Sequence, residues 1–189
     1  MKKTITLIIV LGTFVLSSFS SFAGGDDKKV TKGVIGGWHY SNFYQSGKKA
    51  FDENHNSFYV GFFANRKLGL TQLLQINTAI MYFQNGAKQD DDNKVRLHYL
   101  NIPISLKVKV GPLYGFAGIN GGIKLGGDIY ISGVKGNVKD ISTWDAGIHA
   151  GLGFKIAIVG VEAKYNWGLI DIYKDYNSQY LQLGFLLYF

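Results

Sequence analysis

Cysteine is absent from the 189 residues. That excludes a lipoprotein anchor on cysteine, a thiolate metal site, a structural disulfide and a cysteine nucleophile. Proline is scarce, with 2 residues. After Ala23 no stretch is apolar for long enough to form a membrane-crossing helix, which needs about 20 residues. Charged residues make up only 17% of the chain, and their balance is basic, with a formal charge of +7. The lysines and arginines are scattered rather than packed into one block, so nucleic acid is not an expected partner. For an exported chain, an anionic headgroup or cell-surface polymer is the more natural counterpart.

What is present begins with a leader. Met1-Lys2-Lys3 is a positive start, residues 5–16 are an apolar stretch, and Ser21-Phe22-Ala23 puts small residues where a signal peptidase reads. Residues 1–23 are therefore expected to be a signal peptide and residues 24–189 a single domain. The domain is rich in glycine (25), tyrosine (12) and phenylalanine (13), with hydrophobic residues at 47% of the whole chain. Glycine, aromatics and evenly spread hydrophobicity suit short alternating strands.

Eight strands are predicted, at 31–42, 57–66, 72–84, 95–109, 113–124, 143–156, 159–168 and 180–189. The links between them alternate: long at 42–56, short at 67–71, long at 84–94, tight at Val110-Gly111-Pro112, long at 126–142, tight at Ala157-Ile158 and long at 169–179. That rhythm belongs to an all-β, eight-stranded antiparallel up-and-down transmembrane β-barrel of a bacterial outer membrane. Its long loops would face outside, and both mature termini would be periplasmic.

Alternation sorts the faces. In the last strand Leu181, Leu183, Phe185, Leu187 and Phe189 oppose Tyr180, Gln182, Gly184, Leu186 and Tyr188. In 159–168, Val159, Val161, Ala163, Tyr165 and Trp167 oppose Gly160, Glu162, Lys164, Asn166 and Gly168. A soluble lipocalin-like carrier would put its apolar face inside instead. Two features favour the membrane barrel. The polar face is rich in glycine, which makes room in a narrow interior for Glu162, Lys164 and Lys155, and a two-residue turn would set Gly153 opposite Glu162. The aromatics Tyr82, Trp144 and Trp167 also fall at the outer rim of the apolar face and Phe189 at the inner rim, as lipid interfaces favour. Strands 31–42 and 57–66 do not sort cleanly: Trp38 and Tyr40 share a face with Gly36, while Phe58, Val60 and Phe62 compete with Tyr59 and Phe63. Pro103, inside a strand of a closed barrel, is expected to cost a ladder hydrogen bond and to mark a bulge.

Several stretches together resemble the PorT-like outer-membrane β-barrel family of small Bacteroidota-type proteins. They are Tyr82-Phe83-Gln84-Asn85-Gly86-Ala87, Tyr99-Leu100-Asn101-Ile102-Pro103-Ile104-Ser105-Leu106-Lys107, Phe116-Ala117-Gly118-Ile119-Asn120-Gly121-Gly122, Asp145-Ala146-Gly147 through Gly151-Leu152-Gly153, Tyr165-Asn166-Trp167-Gly168-Leu169 and Leu181-Gln182-Leu183-Gly184-Phe185. The resemblance covers nearly all of the mature chain and implies the barrel fold and an outer-membrane location. Its namesake is tied to secretion and gliding machinery, so it also implies a secretion-accessory role with secretion-system partners. It brings no catalytic motif.

The candidates for acid–base chemistry are the four histidines, His39, His55, His98 and His149. A rim pair of His39 and His55 near Asp52 or Glu53 would be the seat of a hydrolase. Polar rim and loop residues are the plainer expectation, and no metalloprotease spacing is present. Asp90-Asp91-Asp92-Asn93 carries oxygen ligands without the spacing of a calcium loop and is expected to be a solvated tip. Lys107, Asp145, His149, Lys155, Glu162 and Lys164 are expected to form a luminal network that plugs the barrel. No catalytic, cofactor or metal site is expected, and the chain is not expected to be an enzyme. The leading expectation is a structural or interaction component of the envelope, embedded in outer-membrane lipid and meeting partners through loops 43–56, 126–142 and 169–179. A narrow channel for small solutes is the alternative, and a rim hydrolase comes after it.

Overall fold

The computed structural model describes residues 30–45, 48–49, 53–68, 73–88, 94–131, 134–137, 142–173 and 176–189. The leader at 1–23 and the tip Asp90-Asp91-Asp92-Asn93 lie outside the described residues, as does Asp52. Among the described residues every regular element is a strand: β1 (Val30–Gln45), β2 (Lys48–Lys49), β3 (Glu53–Lys67), β4 (Leu74–Lys88), β5 (Lys94–Val110), β6 (Leu113–Ile131), β7 (Val134–Asn137), β8 (Trp144–Ile156), β9 (Val159–Tyr173) and β10 (Tyr176–Tyr188). Each long strand pairs antiparallel with its neighbours in the chain, and β10 pairs with β1 from Gly33↔Tyr188 to Gln45↔Tyr176, which closes the sheet. The short β2 and β7 fold back on β1 and β6, leaving eight strands in the barrel wall.

The eight strands stand where alternation placed them. At the short-turn end they match closely. Val110 pairs with Leu113 around Gly111 (φ 60°), and Ile156 pairs with Val159 around Ala157 (φ 51°). Gly153 pairs with Glu162, as the two-residue turn requires. At the other end the strands run further than expected. β9 reaches Tyr173 and β10 starts at Tyr176, with Tyr173 paired to Tyr176, so 169–173 and 176–179, expected in a long loop, are strand. Residues 126–131 likewise extend β6, and 128–131 pair with β7.

The reason is visible on the outward face. Between Lys32 and Arg66, outward at the short-turn end, and Tyr40, Phe58, Tyr82, Leu100, Trp167 and Leu181, the outward positions are apolar or glycine apart from Thr78. Beyond them come Asn56, Gln84, His98 and Gln179, while the backbone ladder continues. The apolar signal ends there but the hydrogen bonding does not. The register shifts also sit at this end, at Asn54/Tyr59, His98/Tyr99 and Tyr176/Gln179, above a regular apolar belt.

Pro103 does not carry the expected bulge. Its pairing with Asn120 on β6 is unbroken. On the β4 side the ladder lapses between Thr78↔Ile104 and Met81↔Asn101 without any change of register. In an antiparallel sheet a residue points its N–H and C=O to one neighbour, so the missing donor weakens one side only.

The structure also sorts the two ambiguous strands. In β1, Ile35, His39, Ser41 and Phe43 point inward and are buried, while Trp38 points out. In β3, Tyr59 and Phe63 are inward, and Phe58, Val60 and Phe62 are exposed on the outer wall. Inward aromatics are accommodated by glycine on nearby strands. A β-carbon on Gly33 would collide with Phe63, one on Gly151 with Phe116, one on Gly153 with Tyr114 and one on Gly184 with Tyr59.

Candidate functional site

The interior is layered. At the short-turn end Thr31, Asn65, Lys67, Gln75, Lys107, Lys109, Tyr114, Lys155 and Tyr188 surround a cavity of about 100 Å³. Lys107 is buried, with its Nζ 4.2 Å from the Tyr114 ring centre, and Lys155 Nζ lies 3.6 Å from that of Tyr188. Both are cation–π distances. One layer deeper, Tyr114 donates to Glu162 at 3.2 Å.

The next layer is nearly solid. Ile35, Phe63, Ala79, Met81, Phe116 and Leu186 close around a space of about 20 Å³, enough for a single water. Glu162, Lys164 and His149 reach the edge of that space, and Ser105 Oγ lies 2.7 Å from His149 Nε2.

Towards the long-loop end the β5–β9 side carries a group of buried amides and one acid. Asn101 and Asp145 flank Gly122 across the β5–β6–β8 register, and Asn120 and Asn166 both border Gly147. Asn101, Asn120, Asp145 and Asn166 are each at most 5% exposed, and none has a side-chain partner. Such groups are met by bound water or a ligand in a folded protein.

On the opposite side aromatics fill the lumen. His39 is held between the rings of Phe83 and Tyr180 at 4.7 and 4.6 Å, and its Nδ1 is 3.0 Å from Gln182 Nε2. Phe83 in turn stacks on Tyr99 at 5.9 Å, and Asn85 donates to Ser178 at 2.6 Å.

The six residues singled out from the sequence thus all face the lumen but occupy different layers. Lys107 and Lys155 stand in the basic end, with Glu162 just above. Lys164 and His149 are at mid-height, and Asp145 lies in the amide group. His39 is not at the rim: it is fully buried in the barrel, and His55 is also inward and buried. An open rim dyad of these two is therefore excluded by their burial. His98 is outward, with Nδ1 2.6 Å from Tyr82 Oη, which ties that interface tyrosine to the neighbouring strand.

Trp144, Trp167 and Phe189 are exposed on the outer wall. The alternation in the sequence did not single out Lys67 and Lys109, though their inward parity at strand ends was a usable signal. It also missed an outward groove of about 460 Å³ lined by Tyr40, Tyr44, Asn54, Tyr165 and Gln179, at the upper edge of the apolar belt. Tyr165 donates to Gln179 there at 2.9 Å.

Comparisons with known proteins agree with this architecture. The attachment invasion locus protein Ail of Yersinia pestis superposes with a TM-score of 0.56 at 16% identity, over 85% of this chain and 99% of that one. Neisserial surface protein A gives a TM-score of 0.58 at 12% identity, over 84% and 97%. At such identities the likeness is one of fold. No curated protein matches the chain. The family model described as outer membrane protein beta-barrel domain matches residues 19–174, most of the length. An eight-stranded closed barrel with an apolar belt and this family match place the protein in a bacterial outer membrane, and the chain belongs to the outer membrane protein beta-barrel domain family.

Proposed function

We propose that the protein is a non-enzymatic display barrel of the envelope, its lumen plugged and its long-hairpin end carrying contacts to other envelope or surface components. In this reading the hairpins face outside and both mature termini are periplasmic, after removal of the leader at 1–23. The observation that carries it is the overrun of the wall. Strands of 13 to 19 residues exceed the roughly 9–11 needed to cross a bilayer. The surplus lies beyond the apolar belt, where Asn54, Gln84, Arg96 and Gln179 face outward. A paired wall rising above the lipid presents a stiff surface, with little ordering entropy left to lose on binding.

The filled middle layer argues against the channel reading, because about 20 Å³ beside Phe63, Met81 and Phe116 leaves no path for a hydrated solute. The burial of His39 argues against a hydrolase. A secretion-accessory role, suggested by the PorT-like resemblance, is one form of this reading, in which the partner is a secretion-system protein.

The test uses the absence of native cysteine. Single cysteines at Asn54, Gln84 and Gln179 are labelled in intact cells with a membrane-impermeant maleimide and, in parallel samples, with a thiol-reactive photo-crosslinker. Labelling together with discrete protein adducts at these positions supports the reading. Failure to label in intact cells, or discrete conductance of the folded barrel in planar bilayers, overturns it.

A further inference from the structure

We infer that the short-turn end of the lumen is a binding site for a phosphate-type oxyanion. Seven of the eight barrel strands, all but β9, line its cavity, and these inward positions differ in kind from the rest of the interior. Lys67 comes from β3, Lys107 and Lys109 from β5 and Lys155 from β8, all around one cavity of about 100 Å³. Among the described residues its lining holds these four ammonium groups and no carboxylate side chain. The nearest luminal acid along the wall, Glu162, stands one layer deeper, beside Lys107 and Lys164, and already accepts from Tyr114.

The arrangement is built rather than incidental. Lys107 is 3% exposed and is held against Tyr114 and Phe116, at 4.2 and 5.7 Å from their ring centres. Lys155 Nζ lies 3.6 Å from the Tyr188 ring centre. The aromatic faces fix two cations without neutralising them. Like charges gathered in a partly desolvated space repel strongly, and a multivalent anion that several of them share relieves the repulsion. Thr31 and Asn65 add neutral donors to the same wall. The cavity takes several waters or one tetrahedral oxyanion, and the packed layer of Phe63, Met81 and Phe116 above it makes it a blind pocket. Lysine is suited to such a ligand as a point charge on a flexible stem. A free phosphate and the phosphodiester of a lipid headgroup at the barrel rim share this chemistry.

The experiment is a calorimetric titration of the refolded barrel in a neutral maltoside detergent with inorganic phosphate, at constant ionic strength, with chloride as reference. One saturable phosphate site is expected, weakened about tenfold by Lys109→Gln and again by Lys155→Gln, as charge-assisted hydrogen bonds are removed. Lys32→Gln, at the same end but on the outward face, should keep the wild-type affinity. Each variant is first checked for the heat-modifiable gel mobility of a folded barrel. A second arm repeats the titration in nanodiscs containing phosphatidylglycerol. Loss of phosphate binding there assigns the pocket to the lipid headgroup, and retained binding assigns it to a free oxyanion. The inference is overturned if phosphate gives no saturable heat beyond chloride with the wild type, or if folded Lys109→Gln and Lys155→Gln bind as the wild type does.

Discussion

Single residues at the short-turn end carry opposite backbone demands. Ala157 holds a left-handed conformation at φ 51° in the β8–β9 turn, where a β-carbon is unfavourable. Ala157→Gly is expected to stabilise the barrel by about 0.5–1 kcal/mol. The readout is the urea midpoint for unfolding from lipid vesicles, which should rise; a fall would mean that the Ala157 methyl makes contacts worth more than the strain. Gly153 is the reverse case. Its position against the Tyr114 ring leaves no space for a methyl group. Gly153→Ala is expected to cost about 1–3 kcal/mol by overpacking. The double variant Gly153→Ala/Tyr114→Leu should recover part of that cost. Strict additivity of the two single changes would show that the ring and the glycine are not coupled. These glycines also explain why the sequence left strands 31–42 and 57–66 unsorted. Tyr59 and Phe63 are aromatic residues that fill the lumen, yet by type they match the lipid-facing Phe58 and Phe62. Only the glycines that face them, Gly33 on the adjacent β1 and Gly184 on β10, one strand further round, distinguish them, and that pairing depends on register.

At the scale of the strand, the ladder rather than the apolar pattern sets the boundaries. Strands β5, β8, β9 and β10 were legible within the belt because lipid on one side and a glycine-rich lumen on the other impose a period of two. The upper ends of the strands were not, because outward polar residues such as Gln84 and Gln179 carry no burial signal while their amides still pair. The same separation governs Pro103. The sequence shows that a donor is missing but not which neighbour loses it; the lapse opposite Ala79 and Ile80 identifies β4. Pro103→Val returns an N–H to that side and keeps a β-favouring side chain. It is expected to add about 1 kcal/mol, the usual net worth of one hydrogen bond. Amide exchange at Ala79 and Ile80 should slow in the variant. Unchanged exchange there, with normal folding, would mean that β4 and β5 are held apart by something other than the proline.

For the whole molecule, the decisive property is which surface meets lipid. The inward parity of Lys107, Asp145, His149, Lys155, Glu162 and Lys164 was readable residue by residue. Their division into a basic end, a packed middle and an amide group was not, because it depends on the stagger between strands as the sheet closes. The outer wall makes a sharper prediction because every strand must agree on it. Ala150 stands midway between Trp144, at the long-loop edge of the belt, and Ile156, at the turn, and it faces outward. An arginine there meets hydrocarbon near the bilayer midplane, where such a change costs about 2–4 kcal/mol in a barrel of this kind. A matched change at Leu169, outward on β9 beyond Trp167, should cost about 0–1 kcal/mol, because its charge reaches the interface. The comparison is made by urea unfolding from phosphatidylcholine vesicles. A large loss for Ala150→Arg beside a small one for Leu169→Arg locates the belt between Trp167 and the short turns. Equal losses would place both positions in one environment and contradict the boundary read from the outward residues. Lys164→Met, at a similar height inside, separates depth from facing: it removes a buried charge from the lumen without touching lipid. Its effect should therefore be the same in vesicles and in detergent, whereas that of Ala150→Arg should shrink in detergent as the apolar layer becomes deformable.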